Sequence, residues 1–176
     1  SPIIWMLANL NNALLLATSN RSEGDVGYTT MDGDTSGSIS PIAAVDKYFI
    51  LHWLRWAEKN LNQPGLALVN SLQPSAELRP PERTQTDEKD LMPYSVIVEI
   101  EKLAIRDRRS PQDVYLILLD ELGLESNVLK GYIKIFFQLW SRNQWKRERL
   151  ALSFHLDEFN DSLLYTSAAD EQQLCQ

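Results

Sequence analysis

Six consecutive residues, Thr18-Ser19-Asn20-Arg21-Ser22-Glu23, bring together hydroxyls, an amide, a cation and a carboxylate. That set suits phosphate and magnesium: hydroxyls and a guanidinium donate to phosphate oxygens, and a carboxylate holds a Mg²⁺ that bridges them. The same spacing also serves a purely local purpose, because Ser19 or Asn20 can cap a helix turn that Glu23 completes. Residue types alone leave both readings open. Asp32-Gly33-Asp34 looks like part of a calcium loop, but the alternating acids and the distal glutamate of an EF-hand are missing, so it reads as a glycine turn with solvated carboxylates.

A second concentration of chemistry lies in Ser141-Arg142-Asn143-Gln144-Trp145-Lys146-Arg147-Glu148-Arg149, four cations interleaved with one aromatic. Such a stretch can complement a helix dipole as a solvated face, or hold a phosphate or carboxylate and stack a ring. The two histidines, His52 and His155, are far apart and have no cysteine partners, which leaves zinc unsupported. No Gly-x-Ser-x-Gly elbow is present, and the single cysteine, Cys175, sits in a polar tail and reads as inert.

These residues need elements to position them. Ile4, Leu7 and Ala8 have helical spacing, and Ala13-Leu14-Leu15-Leu16-Ala17 is a short continuous apolar run, the signature of a strand buried on both faces of a parallel sheet. Thr18 then stands at the carboxyl end of that strand, where open α/β sheets bind ligands. Residues 18–41 carry four of the seven glycines and no sustained periodicity, which predicts a long functional loop. Ser40-Pro41 predicts the cap and first turn of a helix running to about Leu61, apolar around so much of its circumference (Val45, Phe49, Trp53 and Trp56; Ile50, Leu54, Ala57 and Leu61) that burial on two sides, as at a subunit interface, is expected.

Five of the eight prolines fall between Asn62 and Pro93, with the charged run Glu82-Arg83-Thr84-Gln85-Thr86-Asp87-Glu88-Lys89-Asp90, so a second irregular segment is expected there, with Leu66 to Val69 a weak strand signal. Helices follow: one over 93–107, one opened by the Ser110-Pro111-Gln112-Asp113 capping box and stopped at Gly123, and one over 126–140. Beyond Arg149 five acids and no Lys or Arg remain, which predicts a solvated or partner-bound acidic tail.

Composition bounds the function classes. The 176 residues hold 17 Lys+Arg against 24 Asp+Glu, a formal net charge of −7, with 44% hydrophobic and 23% charged residues: a soluble globular domain with a real core. An acidic chain is a poor general nucleic-acid coat or anionic-membrane binder, and no apolar run approaches the roughly 20 residues of a membrane span. One cysteine gives no disulfide framework, which fits a reducing, cytoplasmic compartment. Ser1-Pro2-Ile3-Ile4-Trp5-Met6-Leu7 reads like the interior of a folded protein, so the chain is expected to be a fragment.

Beyond composition, the residues resemble a known family. Leu14-Leu15-Leu16-Ala17-Thr18-Ser19-Asn20-Arg21-Ser22-Glu23, Val26-Gly27-Tyr28, Asp32-Gly33-Asp34, Ser40-Pro41-Ile42 and Asp46-Lys47 resemble the carboxyl half of NAD synthetase, closest to the large glutamine-dependent type. The likeness continues through Pro74-Ser75-Ala76-Glu77-Leu78-Arg79-Pro80, Gln85-Thr86-Asp87-Glu88, Leu91-Met92-Pro93-Tyr94 and Arg142-Asn143-Gln144-Trp145-Lys146-Arg147, covering residues 1–160; residues 161–176 are the acidic tail.

The resemblance implies the C-terminal part of an α/β, Rossmann-like parallel-sheet domain of the adenine nucleotide alpha-hydrolase (ATP-pyrophosphatase) type, mostly helical within this stretch. It implies an amide ligase that adenylates the carboxylate of deamido-NAD (nicotinic acid adenine dinucleotide) and lets glutamine-derived ammonia displace AMP, giving NAD, in a homo-oligomer with no nucleic-acid or membrane partner. By position, Thr18, Lys47 and Ser75 correspond to ATP contacts, Glu23 to a magnesium and dinucleotide contact, and Tyr28, Asp34 and Lys146 to dinucleotide contacts. Three departures stand out: Ser75 replaces a familiar Thr and keeps the hydroxyl, Met31 stands where the small ammonia-dependent enzymes have Lys so that contact does not carry over, and Ser38 stands where related chains have Asp or Gly and is assigned no role.

The family's Ser-Gly-Gly-x-Asp-Ser phosphate loop and the Cys, Lys and Glu of its glutaminase do not occur in these residues, so both are expected upstream, no catalytic residue is assigned here, and the isolated piece is expected to be inactive. Two alternatives are another amidotransferase of the ATP-pyrophosphatase superfamily and a non-catalytic nucleotide- or RNA-binding module using residues 142–149.

Overall fold

The computed structural model describes residues 1–75, 86–154 and 156. Helix α1 (Pro2–Leu10) opens with a proline in its first turn. The apolar run that follows was expected as a full two-sided strand, but it makes only one parallel bridge, Leu16 to Ile39, with hydrogen bonds Ala17 N–H to Ile39 O (2.9 Å) and Ser38 N–H to Leu15 O (2.7 Å). Leu14 and Leu16 are 73% and 54% exposed. The reason is that two-sided burial needs neighbours on both faces and both edges, and among the described residues only the 38–39 edge supplies one.

The segment 18–41 is less irregular than its composition suggests. It contains helix α2 (Arg21–Val26), which ends at Gly27 in the left-handed conformation, and strand β1 (Ile39–Ser40). Strand β1 pairs in parallel with β2 (Leu152–Ser153) in the register Ile39 to Leu152 and Ser40 to Ser153. The parallel sheet thus has β1 between the 16–17 edge and β2, joining residues more than a hundred positions apart.

Helix α3 (Lys47–Asn60) starts later than expected. Its cap is Asp46, whose carboxylate accepts the Phe49 N–H at 2.6 Å, whereas Ser40 belongs to β1 and Pro41 to the turn after it. Asp46 wins because its oxygen reaches the third residue of the helix, the geometry a cap requires. Ala57 alone is fully buried on α3, while Phe49, Trp53 and Trp56 are exposed, so only one side of this apolar helix is covered by the described residues. Leu66 to Val69, a weak strand signal, is part of helix α4 (Leu66–Ser71), which packs on α3 and is tied to it by Asn70 Nδ2 donating to Glu58 Oε2 at 2.6 Å. The stretch after Asn62 is therefore partly helical, and helix α5 (Asp87–Asp90) closes it.

The carboxyl half follows the periodicity closely. Helix α6 (Tyr94–Glu101) runs on into a wide π-helical turn, Lys102–Arg106; α7 (Pro111–Leu122) is capped by Ser110 and stopped by left-handed Gly123; α8 (Ser126–Arg142) leads into the short α9 (Gln144–Arg147). The apolar faces of α6, α7 and α8 meet in one core with Ile97, Ile100, Val114, Leu118, Leu129 and Phe136 at its centre, and Val26 of α2 is sewn into it. Burial of these side chains holds α2, and hence the residues around it, against a rigid helical platform. The expected acidic tail over 161–176, the boundary at 160, His155 and Cys175 lie outside the described residues.

Candidate functional site

Helix α2 is the element that positions the site. Its capping box is complete: Asn20 Oδ1 accepts the Glu23 N–H at 3.2 Å, and Glu23 Oε2 accepts the Asn20 N–H at 3.5 Å. The capping arrangement that the six-residue motif allows is thus present: Asn20 caps α2, Arg21, Ser22 and Glu23 form its first turn, and Thr18 and Ser19 precede it. A six-residue helix is marginal by itself, so tertiary bonds hold it. Arg21 donates from Nε to Glu101 Oε2 (3.4 Å), from one terminal nitrogen to Ala44 O (3.2 Å) and from the other to Asp46 Oδ2 (3.2 Å), and Glu101 is fully buried. A charge removed from water in this way persists only when paired and hydrogen-bonded, which makes Arg21 a clasp between α2, α3 and α6 and withdraws it from ligand contact.

The clasp aligns α3 against α2. The Lys47 N–H donates to Ser22 Oγ at 3.3 Å, and the Lys47 ammonium lies 2.9 Å from Glu23 Oε1, both side chains about four-fifths buried. Close by, Asp87 on α5 accepts the Tyr94 hydroxyl at 2.8 Å, and its backbone N–H donates to Pro74 O at 3.1 Å, next to Ser75. Burial first, then the charges of Glu23 and Asp90, raise the Asp87 carboxyl above its usual range against the opposing pull of the Tyr94 bond and Lys47. Burial and the Asp87 charge raise the Tyr94 hydroxyl as well, so it remains a proton donor.

Around the C-terminus of α2 lies a second group. Gly27 takes φ +61°, and a Cβ there would fall 2.3 Å from Asn143 Cβ, so only glycine lets α2 approach α9 this closely. The Asn143 amide donates to Val26 O (2.8 Å) and Arg147 to Asp25 O (2.8 Å), while Lys146 Nζ donates to Gly27 O (2.9 Å) and Thr29 O (2.8 Å). Asp25 O, Val26 O and Gly27 O are acceptors at the end of α2, where cations suit them, and Thr29 O lies just beyond. Burial, followed by repulsion from Arg142, holds the Lys146 ammonium below the ordinary lysine range, while Asp34 pulls it back up. Tyr28 extends the group by donating its hydroxyl to Asp90 Oδ2 at 3.0 Å.

Of the seven residues singled out by resemblance, Glu23 and Lys47 are in direct contact, and Tyr28 and Lys146 flank the same helix end. Asp34 accepts the Thr30 N–H at 2.7 Å in the adjoining turn, whose Asp34 O also accepts from Ser19 Oγ at 3.3 Å. Thr18 and Ser75 are exposed at the margins. Asp87, Tyr94, Asp90 and Asn143 were given no role by sequence reasoning, although Asp87, Tyr94 and Asn143 all sit within the quoted motifs; a carboxylate seven residues before a tyrosine in a charged run was the available signal. The basic stretch is largely consumed internally, since Lys146 and Arg147 serve the end of α2 and Arg149 pairs with Asp32 at 3.0 Å. Among the described residues no group of three or more His, Cys, Asp or Glu is arranged to hold a metal ion, and no helix is long and apolar enough to cross a membrane.

Residues 2–150 match the family described as NAD synthase. The chain is similar in structure to a glutamine-dependent NAD(+) synthetase from Cytophaga hutchinsonii, with a TM-score of 0.77 and 53% identity over 99% of this chain and 28% of that one. It is 38% identical over 113 residues to the glutamine-dependent NAD(+) synthetase of Aquifex aeolicus (strain VF5), covering 64% of this chain and 19% of that protein. It is 30% identical over 161 residues to the one from Arabidopsis thaliana, covering 89% of this chain and 22% of that protein. The chain thus spans about a fifth of the length of these curated relatives. The family match over residues 2–150 and the structural likeness at 53% identity agree, and the chain belongs to the NAD synthase family.

Proposed function

We propose that this chain forms part of an ATP-dependent amide ligase that converts deamido-NAD to NAD. In this reading the dinucleotide carboxylate attacks the α-phosphorus of ATP, pyrophosphate leaves, and glutamine-derived ammonia then displaces AMP from the acyl adenylate. The observation that carries it is the Glu23 and Lys47 pair, held at 2.9 Å on two helices that Arg21 locks together, in a chain whose relatives are named glutamine-dependent NAD(+) synthetases. The fold is read as a Rossmann-like domain of the adenine nucleotide alpha-hydrolase type.

Such a reaction asks no covalent nucleophile of the protein, because ATP activates the acid. It asks for orientation of two polyanions and neutralisation of charge as pyrophosphate departs. Lys47 and the hydroxyls of Thr18 and Ser75 would meet ATP. Tyr28, Asp34 and Lys146 would meet the dinucleotide, with Lys146 fixed by two carbonyls so that its charge is presented without freedom to wander. Magnesium fits Glu23 as the protein ligand: one of its oxygens makes only a long 3.5 Å bond, and this metal commonly takes one or two carboxylates and fills its remaining positions with phosphate oxygens and water. When bound, it would neutralise phosphate charge. A homo-oligomer and a cytoplasmic setting complete the reading.

The test uses the complete enzyme with ATP, magnesium, deamido-NAD and ammonia, and follows AMP and NAD together. Equal amounts of both support the ligase; AMP without NAD, or activity only with another substrate such as the ring carbonyl of a nucleotide base, points to a different ATP-pyrophosphatase amidotransferase.

A further inference from the structure

Asp87 stands in a stretch dense with charge, yet it is only 5% exposed, whereas its neighbour Glu88 faces solvent. One oxygen, Oδ2, accepts the Tyr94 hydroxyl at 2.8 Å; the other, Oδ1, is buried with no hydrogen-bond partner among the described residues. A buried carboxylate oxygen left unbonded costs stability, and a residue needed only for packing would not carry it. The rest of Asp87 is firmly placed. Its N–H is bonded to Pro74 O, its α5 helix is closed by Leu91 N–H donating to Asp87 O at 2.9 Å, and Tyr94, itself buried in the core, cannot turn away. The charged groups whose fields act on it are the Lys47 ammonium from α3, the Glu23 carboxylate from α2 and Asp90 from its own helix.

Lys47 is the only cation in that set, and it is bonded to Glu23. If Glu23 is to serve a nucleotide-bound metal, it cannot keep the same hold on Lys47, and a lysine on a flexible four-carbon stem then loses its fixed position. We propose that Asp87 is a positioning residue for the adenylation step, its unbonded Oδ1 receiving the Lys47 ammonium when ligand draws Glu23 away. Tyr94 acts one step further out, aiming the carboxylate. The Asp87 N–H also holds Pro74 O, next to Ser75, at the same place. This inference rests on the ligase reading above and adds a residue to it.

The test compares Asp87→Asn, Asp87→Glu and Tyr94→Phe with the parent in the complete enzyme, measuring calorimetric ATP affinity, the KM for ATP and for deamido-NAD, and the thermal midpoint. Asp87→Asn keeps an acceptor for Tyr94 and removes only the charge. It is expected to weaken ATP binding and raise its KM about tenfold or more, with the deamido-NAD KM held within about twofold. Tyr94→Phe should give a smaller loss in the same direction, and Asp87→Glu should recover part of it. Unchanged ATP affinity in both Asp87→Asn and Tyr94→Phe overturns the proposal, as does an equal loss for both substrates, or a loss that follows the thermal midpoint and is not relieved by Asp87→Glu. Should Asp87→Asn fail to fold, Tyr94→Phe decides alone, and unaltered ATP parameters in it overturn the proposal. A parent enzyme that makes no AMP from ATP and deamido-NAD would instead defeat the ligase reading, whereas an active parent with indifferent variants defeats only the role of Asp87.

Discussion

The Lys47 ammonium lies 2.9 Å from Glu23 Oε1 although 24 residues separate them, and Arg21, two residues before that glutamate, bonds Asp46, the cap of the lysine's own helix. The contact joins the amino-terminal turns of α2 and α3, so the charge of one side chain sets where the other can go. Four consequences can be measured.

Glu23→Gln keeps the capping geometry, because Gln serves a capping box as Glu does. The pair is about four-fifths buried and Gln leaves the Lys47 ammonium without its charged partner, so stability should fall by about 1–3 kcal/mol. Adenylation should fall about 10- to 150-fold, the value of a charge-assisted interaction of roughly 1.5–3 kcal/mol. Thermal melting alongside AMP formation at limiting magnesium separates the two; near-normal AMP formation removes Glu23 from the site.

Asn20→Ala deletes the other half of the box and should cost about 1 kcal/mol of stability, while Asn20→Ser or Asn20→Asp should be nearly neutral. Chemical denaturation reads this directly. A loss under about 0.3 kcal/mol would mean that the tertiary clasp, and not the cap, determines the start of α2.

Gly27→Ala places a Cβ in a left-handed residue and against Asn143 at 2.3 Å. The conformation alone costs roughly 1–2 kcal/mol, and displacement of Asn143 breaks its bond to Val26 O, so a total above about 2 kcal/mol is expected. An equilibrium unfolding difference below about 0.5 kcal/mol contradicts the close approach of α2 and α9.

Lys146→Ala should weaken deamido-NAD binding about 10- to 150-fold and ATP binding far less, as calorimetry with each ligand would show. The lysine also carries a pH signature. Its folded value lies below the ordinary one, chiefly through burial, so between the two the unfolded chain holds more protons. Stability attributable to Lys146 therefore rises with pH through that window, and the parent should gain on Lys146→Met as alkaline pH is approached. Equal losses for both ligands, or a falling difference with pH, would return Lys146 to a solvated face.

Much was legible in the chain by itself because it is local. The capping box at Ser110, the stop at Gly123 and the extents of α6, α7 and α8 follow from periodicity and caps that act within one or two turns, and the ordered motifs were specific enough to indicate the family. The same locality misled elsewhere. Ser40-Pro41 has the types of a helix start, but Ser40 is claimed by pairing with Ser153, a partner 113 positions away that no short window contains. The run from Ala13 to Ala17 has a buried strand's composition, yet the number of sheet neighbours, not the run, decides how much of it is covered.

The site divides in the same way. Glu23, Lys47 and Lys146 could be singled out by their motifs, but which charges meet depends on the folded backbone. Arg21 had the type of a phosphate ligand and became a buried clasp because Glu101, 80 residues later, lies within reach of its Nε. Asp87 drew no attention in a charged run, where carboxylates are ordinarily solvated. Only the packing of α5 under Tyr94 removes it from water and leaves one oxygen unbonded, and desolvation is a property of the surrounding fold that residue type and spacing cannot encode.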